Sequence, residues 1–265
     1  ENAFVSETAK KVLTSPESPI VLMKKKSGSR ITPAVAEGMD TFGFMLCYAP
    51  LHFLLFEQSP KILVMTSANI SEQPLICDNN DALKKLKNTA DFFLMHNRNI
   101  YRQVDDSIVH IIDDTPVLLR RARGYVPEPI TLNTKSQKNI LATGADMKNT
   151  FCIAKDDKLI NSEHIGDLFK SENYRHYRRS VAHLSKLFDF EPEAIACDLH
   201  PGYLSRQFAS QFEDTQIIEI QHHWAHICSV LAEHNFEDEV IGLECDGTGY
   251  GTDGAIWGCE CMRAS

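Results

Sequence analysis

The segment TQIIEIQHHWAHICSVLAEH (215–234) predicts the fold class of the second half of the chain. Residues 216–220 form a short apolar run typical of a buried strand, and residues 222–234 have the apolar spacing of a helix. A similar strand and helix precede them at 194–197 and 202–212, and a longer helix is expected from about 171 to 188. Further strands are expected at 139–143, 150–155, 158–162, 240–245 and 254–262. We therefore predict a layered α/β domain.

The first half has a less regular pattern of short strands and helices. Helices are expected at the N-terminus, at 50–57 and at 79–88, the last with Asp78 or Asn79 as its N-cap. Strands are expected at Ile20–Met23, Phe42–Leu46, Ile62–Met65, Phe92–Met95, Ser107–Ile112 and Val117–Arg121. This mixture without strict alternation favours an α/β layer with a twisted mixed sheet.

The segment GYVPEPITLNTKSQ (124–137) is the expected boundary between two domains. Its two prolines and polar tail disfavour regular structure, as in stretches that few contacts cross. We therefore predict one domain at 1–130 and a second at 131–265.

The composition is that of an ordinary globular protein, with 43% hydrophobic and 24% charged residues. No apolar run approaches the roughly 18 residues of a membrane span, and the N-terminus lacks the pattern of a signal peptide. The eight cysteines are scattered without a CxxC pair, which favours reduced thiols in the cytoplasm. Cys259 and Cys261 would share one face of a strand and are expected to be buried.

The net charge of −9 lies entirely in the second half. Residues 1–130 carry 15 basic and 15 acidic side chains, whereas residues 131–265 carry 12 and 21. An acidic domain is repelled by the phosphate backbone that dominates nucleic-acid affinity. Nucleic acid is therefore an unexpected partner.

The motif QHHWAH (221–226) is the strongest chemical signal in the second half. His222 and His226 are four residues apart, so they lie one turn apart on one face of a helix and can hold one metal ion. His223 with His226 is a second geometric possibility, and a helix start with surface histidines is the structural alternative. Three histidines after a strand favour the metal site, because open α/β sheets build their sites at strand ends. An oxygen ligand must come from elsewhere.

The loop DGTGYG (246–251) follows the next predicted strand. Glycines allow backbone N–H groups to surround phosphate oxygens, and a carboxylate can hold the accompanying metal. A hairpin turn is the alternative, since Asp-Gly is also a hairpin signal. Because the loop follows the histidines by twenty residues, at the end of what we expect to be an adjacent strand, we favour a phosphate loop containing Asp246, Gly247, Gly249 and Gly251.

The stretch ILVMTSANISEQPL (62–75) brings polar side chains to the end of a predicted strand in the first half. Thr66, Ser67 and Asn69 offer hydroxyl and amide groups to a nucleotide or carbonyl ligand, although an ordinary turn has the same composition. Arginines near such a turn suit phosphate recognition, although they also have Asp113 and Asp114 as potential partners. The candidates downstream are Ser107, Arg120, Arg121 and Arg123.

Together these motifs resemble one family, the HypF-type carbamoyltransferases. TSANISEQP resembles the TSAN-S-x-x-P motif of YrdC-like domains, and GMDTFGFMLCYAPLHFLL, ADFFLMHNRNIYRQVDDSIV and LLRRARGYVPEPI look like the HypF version of that domain. GADMKNTFCIA, EHIGDL, CDLHPGYLS, QHHWAH and DGTGYGTDGAIWGCE resemble, in order, the transfer domain that follows it. The second domain is thus expected to be TsaD-like, with part of an actin/hexokinase-like fold.

The resemblance implies a two-step reaction. The YrdC-like domain makes carbamoyl-adenylate from carbamoyl phosphate and ATP, with magnesium, and the second domain passes the carbamoyl group to the C-terminal cysteine of HypE. This modification leads to the cyanide ligands of nickel–iron hydrogenases. His222 and His226 would bind iron or zinc, and Asp246 would be a catalytic residue and a third ligand or nucleotide contact.

The sequence departs from the full family pattern at both ends. The acylphosphatase-like domain, the zinc-finger cysteines, the opening of the YrdC-like domain and the remainder of the transfer domain are not seen, so we expect a partial enzyme. The other interpretations are a tRNA-threonylcarbamoylation enzyme, an O-carbamoyltransferase and a non-catalytic double-stranded RNA-binding module. Charge disfavours the two RNA-dependent interpretations, and the order of the domains disfavours the O-carbamoyltransferase.

Overall fold

The computed structural model describes residues 1–57, 62–71 and 73–264, and the chain divides into two compact units. The first contains residues 1–70 and 75–126, and the second contains residues 71–74 and 127–265. The division after Val126 falls within the proline-containing segment, four residues before the end of the first predicted domain. Ile130 and Thr131 of that segment form a short strand of the second unit, although we expected no regular structure there.

The first unit is built on a mixed four-stranded sheet. Its strands are β1 (Ile20–Lys24), β2 (Thr41–Phe44), β3 (Ile108–Ile112) and β4 (Thr115–Arg120), in the order β2-β1-β3-β4. β1 runs parallel to β3, and the outer pairs are antiparallel. The helices are α1 (Glu7–Leu13), α2 (Pro50–Phe56) and α3 (Asn79–Lys85), and residues Pro33–Ala36 form a 3₁₀ turn.

Alternation along β1 buries Val21 and Met23 on one face, where Ala9 and Leu13 of α1 pack against them. The helix α1 begins at Glu7, because the Ser6 side chain accepts the N–H of Ala9 and caps it there. The expectation of a helix from the first residue is therefore wrong. The cap of α3 is Asp78, one of the two predicted residues.

Two predicted strands of the first unit are not formed. Ile62–Met65 and Phe92–Met95 have the β-branched and aromatic composition of strands, but they pair with no strand in the described part of the chain. Val64 and Phe92 are 67% and 92% exposed, so these apolar runs do not cover a buried sheet face. Composition alone does not distinguish a strand from an extended loop.

The second unit is built on a mixed six-stranded sheet in the order β10-β9-β6-β7-β8-β5. Its strands are β5 (Ile130–Thr131), β6 (Ile140–Ala142), β7 (Cys152–Lys155), β8 (Lys158–Asn161), β9 (Ala194–Asp198) and β10 (Gln216–Ile220). Strands β6, β9 and β10 are parallel, and β5, β7 and β8 pair antiparallel. The helices are α4 (Ser171–Leu187), α5 (Leu204–Ala209) and α6 (His222–Glu233). The α/β class predicted for both halves is confirmed.

The core of this unit lies against α4. Tyr177, Val181 and Leu184 are at most 5% exposed and belong to one cluster with Leu141 and Ile195 of the sheet. Leu187, one turn beyond Leu184, is 55% exposed at the helix end, so the buried apolar stripe of α4 ends at Leu184.

The remaining strands form two small sheets. Within the described ranges, β11 (Val240–Glu244) pairs only with β14 (Glu260–Ala264), and β12 (Gly249–Tyr250) pairs only with β13 (Ile256–Trp257). The predicted strand 254–262 is therefore two strands. We expected β11 to be adjacent to β10, but the two strands belong to different sheets. Among the described residues, no helix is long and apolar enough to cross a membrane.

Candidate functional site

Three side chains of the second unit converge on one point. The Nε2 atoms of His222 and His226 are 3.2 Å apart. The Asp246 Oδ2 atom lies 3.2 Å from Nε2 of His222 and 3.9 Å from Nε2 of His226. They are the one group of three or more potential metal ligands found in the described part of the chain.

The local sequence explains why the two histidines face this point. Gln221 is the N-cap of α6, and its side-chain oxygen accepts the N–H of Trp224, so the helix begins at His222. His222 and His226 are then one turn apart on the same face. Asp246 follows β11 by two residues and approaches that face from a different element.

Asp198 is a fourth member of the site that we did not predict. Its Oδ2 atom lies 2.7 Å from Nδ1 of His222, and its Oδ1 atom accepts the N–H of His200. β9 and β10 are parallel with Ile220 opposite Asp198, so both strands end at the same sheet edge. The available sequence signal was in CDLHPGYLS, where an acidic residue directly follows the strand expected at 194–197, since open α/β sheets build their sites at strand ends.

The charges of the cluster shift the pKa values of its members. The hydrogen bond to Asp198 raises the pKa of His222 above its usual value, and burial opposes this effect only in part. Partial burial acts to raise the pKa of Asp246. The N–H groups of Gly247 and Thr248 and the two histidines outweigh it, so this pKa is held below its usual value. In the absence of a metal, these two pKa shifts favour the protonated form of His222 and the ionised form of Asp246.

The raised pKa of His222 predicts pH-dependent stability of the metal-free chain. Its stabilisation is fully present below the unfolded-state pKa of 6.5 and is lost as the pH rises through the higher folded-state pKa. We expect Asp198→Asn to lower the melting temperature most near about pH 5 and least near about pH 8.5. Asp214→Asn, which changes an exposed carboxylate, should show no such trend. A pH-independent effect of Asp198→Asn would contradict this prediction.

The donor set fits a divalent transition metal. Ligand bonds of about 2.1 Å in tetrahedral or octahedral geometry separate neighbouring donor atoms by roughly 3.0–3.4 Å. Two of the three donor distances, 3.2 Å each, lie in this range, and the third, from Asp246 to His226, is 3.9 Å. Two imidazoles and one carboxylate are a common donor set for both zinc and non-haem iron. Asp198 would hold the Nδ1 proton of His222 and leave its Nε2 atom free to bind the ion.

This geometry predicts that Asp198 controls metal affinity without binding the metal. Asp198→Asn and Asp198→Ala should weaken Co²⁺ or Zn²⁺ binding about 10- to 100-fold, because His222 loses the partner that fixes its tautomer and ring orientation. Isothermal titration against wild type measures the change, with Asp214→Asn as the control. Unchanged affinity in both Asp198 variants would show that His222 is oriented by other contacts.

His223 is not part of the cluster, although we considered it as an alternative ligand. Its ring is fully buried, and its two nitrogens have no hydrogen-bond partner among the described residues. It lies against Gly249, where an added Cβ atom would be 2.5 Å from Nε2 of His223. His223 is therefore a packing residue of α6.

The buried position of His223 predicts an effect on stability rather than on metal binding. His223→Ala should lower the free energy of unfolding by about 2–4 kcal/mol, because it leaves a cavity. His223→Leu should cost less than about 1.5 kcal/mol, since it fills the space without leaving an unpaired polar atom. His234→Ala, at the exposed end of α6, is the control. Urea denaturation measures all three, and equal costs for Ala and Leu would contradict the packing role.

The glycine-rich loop contains the hairpin that we considered less favoured. Gly249 pairs with Trp257, and the N–H of Gly251 donates to the carbonyl of Ala255. An added Cβ atom at Gly251 would lie 2.1 Å from the Trp257 ring, so packing requires a glycine there. The N–H of Gly247 donates to Oδ1 of Asp246. The hairpin alternative is therefore present, and phosphate binding by Gly247, Gly249 and Gly251 stays a prediction.

The predicted polar turn of the first unit is exposed and internally hydrogen-bonded. The Ser67 hydroxyl donates to Oδ1 of Asn69 at 2.6 Å, and Thr66 is exposed beside them. Glu72 of the same motif lies outside the described residues. A cavity of about 470 Å³ in this unit is lined by residues including Phe44, Leu55 and Met65. Because Thr66 directly follows Met65, the turn begins at the wall of this cavity.

The structure gives Ser107 and Arg123 structural contacts. The buried Ser107 hydroxyl accepts the N–H of Ala122 and donates to the carbonyl of Arg123. The guanidinium of Arg123 donates to Asp106 and to the carbonyls of Glu17 and Ser18. The acidic partner of Arg123 is therefore Asp106 rather than Asp113 or Asp114. These contacts do not support phosphate binding by Ser107 and Arg123. Substrate binding by these two residues and by Arg121 stays a prediction.

Known protein families match most of the chain. Residues 135–233 match the family described as the HypF Kae1-like domain, and residues 2–122 match the Sua5/YciO/YrdC family, described as telomere recombination. Both matches agree with the YrdC-like and TsaD-like domain types that the sequence predicts.

Individual relatives are similar over nearly the whole chain. Carbamoyltransferase HypF of Synechocystis sp. is 46% identical over 95% of this chain, and its homologue from Rhizobium leguminosarum bv. viciae is 41% identical over 96%. The chain covers 33% and 34% of these relatives, so it spans about a third of their length.

Two solved structures have the same fold. A crystal structure of full-length HypF in the phosphate- and nucleotide-bound form is 46% identical, with a TM-score of 0.93 over 99% of this chain and 41% of that one. The structure of HypF from T. kodakarensis is 40% identical, with a TM-score of 0.92 over 98% of this chain and 34% of that one.

Proposed function

The chain belongs to the family of HypF-type carbamoyltransferases, and from that membership we propose that it contributes to both active sites of a carbamoyl transfer reaction in hydrogenase maturation. Water cleaves carbamoyl phosphate to carbamate and phosphate. In the first unit a carbamate oxygen then attacks the α-phosphorus of ATP, with magnesium, which gives carbamoyl-adenylate and releases pyrophosphate. The second unit passes the carbamoyl group to the C-terminal cysteine of HypE. The observation that carries this proposal is the convergence of His222, His226 and Asp246 in the unit that matches the HypF Kae1-like domain.

Two features of the first unit support the adenylate-forming step: its match to the YrdC family and the position of the TSAN turn beside a cavity. Its match to the YrdC family spans the TSAN turn, which begins at the wall of the 470 Å³ cavity. We place the substrates at this turn, where Ser67 and Asn69 offer a hydroxyl and an amide. The related full-length HypF was crystallised in a phosphate- and nucleotide-bound form, which supports nucleotide binding by this chain as well.

The second unit supports the transfer step through its cluster. His222, His226 and Asp246 would hold iron or zinc, and Asp198, through its contact with Nδ1 of His222, would leave the Nε2 atom of that ring free for the ion. A divalent ion bound there supplies positive charge that stabilises negative charge on a leaving phosphate group. The thiolate of HypE attacks the carbamoyl carbon, the new C–S bond forms, and AMP leaves with the electron pair of the broken C–O bond.

The decisive experiment measures both steps in a protein of the relatives' full length that contains this chain. Carbamoyl-phosphate-dependent exchange of pyrophosphate into ATP reports the first step, and labelled carbamoyl groups on HypE report the second. We expect both activities in a cytoplasmic extract fraction and with purified components. Exchange that requires threonine and bicarbonate instead of carbamoyl phosphate would reject the proposal in favour of tRNA threonylcarbamoylation.

A further inference from the structure

Two exposed thiols lie side by side, and one of them directly precedes Asp246 in the sequence. The Sγ atoms of Cys245 and Cys259 are 3.7 Å apart, and both side chains are exposed. The expectation that Cys259 and Cys261 are buried is wrong, because both lie on the exposed face of the β11–β14 pair.

The strand register supports the proximity of the two thiols independently. β11 and β14 pair antiparallel, with Leu243 opposite Cys261 and Glu244 opposite Glu260. One further step in this register places Cys245 opposite Cys259. Directly opposed residues of antiparallel strands have Cβ atoms about 4.5–5.5 Å apart, and a disulfide needs about 3.5–4.5 Å. A small adjustment of the two strand ends is therefore enough to join the sulfur atoms.

We propose that Cys245 and Cys259 form a reversible disulfide that clamps the start of the loop carrying Asp246. The oxidant is a small-molecule disulfide such as glutathione disulfide. One thiolate attacks it and releases one glutathione thiolate, and the second cysteine then displaces the other glutathione. Two protein thiols are oxidised to one disulfide, two glutathione thiols are formed, and the protons pass through solvent.

A Cys245–Cys259 disulfide would restrict the backbone next to Asp246. Asp246 directly follows Cys245, and the bond would close a loop that contains Asp246 and the β12–β13 hairpin. Closing this loop restricts the backbone at Asp246, which faces Nε2 of His222. In a reducing compartment the thiols stay free, so the clamp would form only under oxidation.

Neighbouring cysteines provide a test of selectivity. Cys261 is also exposed, but Leu243 rather than a thiol lies opposite it. Cys152 and Cys197 belong to strands of the six-stranded sheet. The geometry therefore favours the Cys245–Cys259 bond over any bond to Cys261.

The test begins with the metal-free 265-residue chain. Incubation with glutathione disulfide, alkylation and peptide mass mapping should show a Cys245–Cys259 cross-link that dithiothreitol reverses. Cys261→Ser should keep this cross-link, whereas Cys259→Ser should leave only glutathione on Cys245. No cross-link, or a dominant cross-link to Cys261, would overturn the proposal.

Hydrogen exchange then measures the clamp itself. Amides of residues 246–248 should exchange about tenfold more slowly in the oxidised than in the reduced chain, with no such difference in Cys259→Ser. A cross-linked chain with unchanged exchange at these residues would overturn the clamp. This measurement needs no metal, so it is decided separately from the proposed metal site, on which the significance of the clamp rests.

Discussion

His222→Ala and His226→Ala should each weaken Co²⁺ or Zn²⁺ binding at least about a hundredfold. Each substitution removes one of three donors whose mutual distances are 3.2–3.9 Å, and the remaining pair cannot enclose an ion. Titration of the chain, with metal content measured after gel filtration, would show about one ion in wild type and essentially none in either variant.

His234→Ala provides the matched control, because it removes an exposed histidine from the end of the same helix. It should keep wild-type affinity. His223→Ala, compared under conditions in which it is folded, should also keep its metal, since its ring is buried against Gly249. Metal binding unchanged in both the His222 and His226 variants would disprove the assignment of the site.

The histidine pair is predictable from sequence because its geometry is local. Four-residue spacing on a helix fixes two side chains on one face, and the Gln221 cap fixes where that helix begins. For Asp246, the sequence predicted only that a carboxylate follows a strand, and not where it lies relative to the two histidines. Its distance to His222 depends on how β11 packs against α6, which no short-range pattern encodes.

Asp198 shows the same limit more clearly. It is 24 residues from His222 in sequence, and the two meet only because β9 and β10 lie side by side in parallel register. Predicting that contact requires the strand order of the sheet. The strand positions themselves were predictable from apolar runs, but the order in which strands pair is a property of the whole domain.

The first unit shows where composition misleads. Ile62–Met65 and Phe92–Met95 have the residues of strands, but the structure leaves them outside the sheet. Arg123 suited a phosphate by residue type, yet its guanidinium is engaged by Asp106 and two carbonyl groups. Residue type indicates which contacts are possible, and the fold determines which of them are made.

Asp246→Ala should separate the two proposed half-reactions in a protein of the relatives' full length that contains this chain. Transfer of labelled carbamoyl groups to HypE should fall at least about a hundredfold, because the cluster loses its carboxylate and the charge that holds the ion. Carbamoyl-phosphate-dependent pyrophosphate exchange should stay within about twofold of wild type, since the YrdC-like unit makes the adenylate without Asp246.

Ser67→Ala and Asn69→Ala should have the opposite effect. Their side chains form one hydrogen-bonded pair at the turn that follows the cavity wall, so either change should lower pyrophosphate exchange about tenfold or more. Asn88→Ala, an exposed amide in the same unit, should leave exchange unchanged. With carbamoyl-adenylate supplied directly, the Ser67 and Asn69 variants should modify HypE at the wild-type rate, and Asp246→Ala should not.

Loss of pyrophosphate exchange in Asp246→Ala would show that adenylate formation also depends on the second unit, and the proposed division of the reaction between the two units would then be wrong.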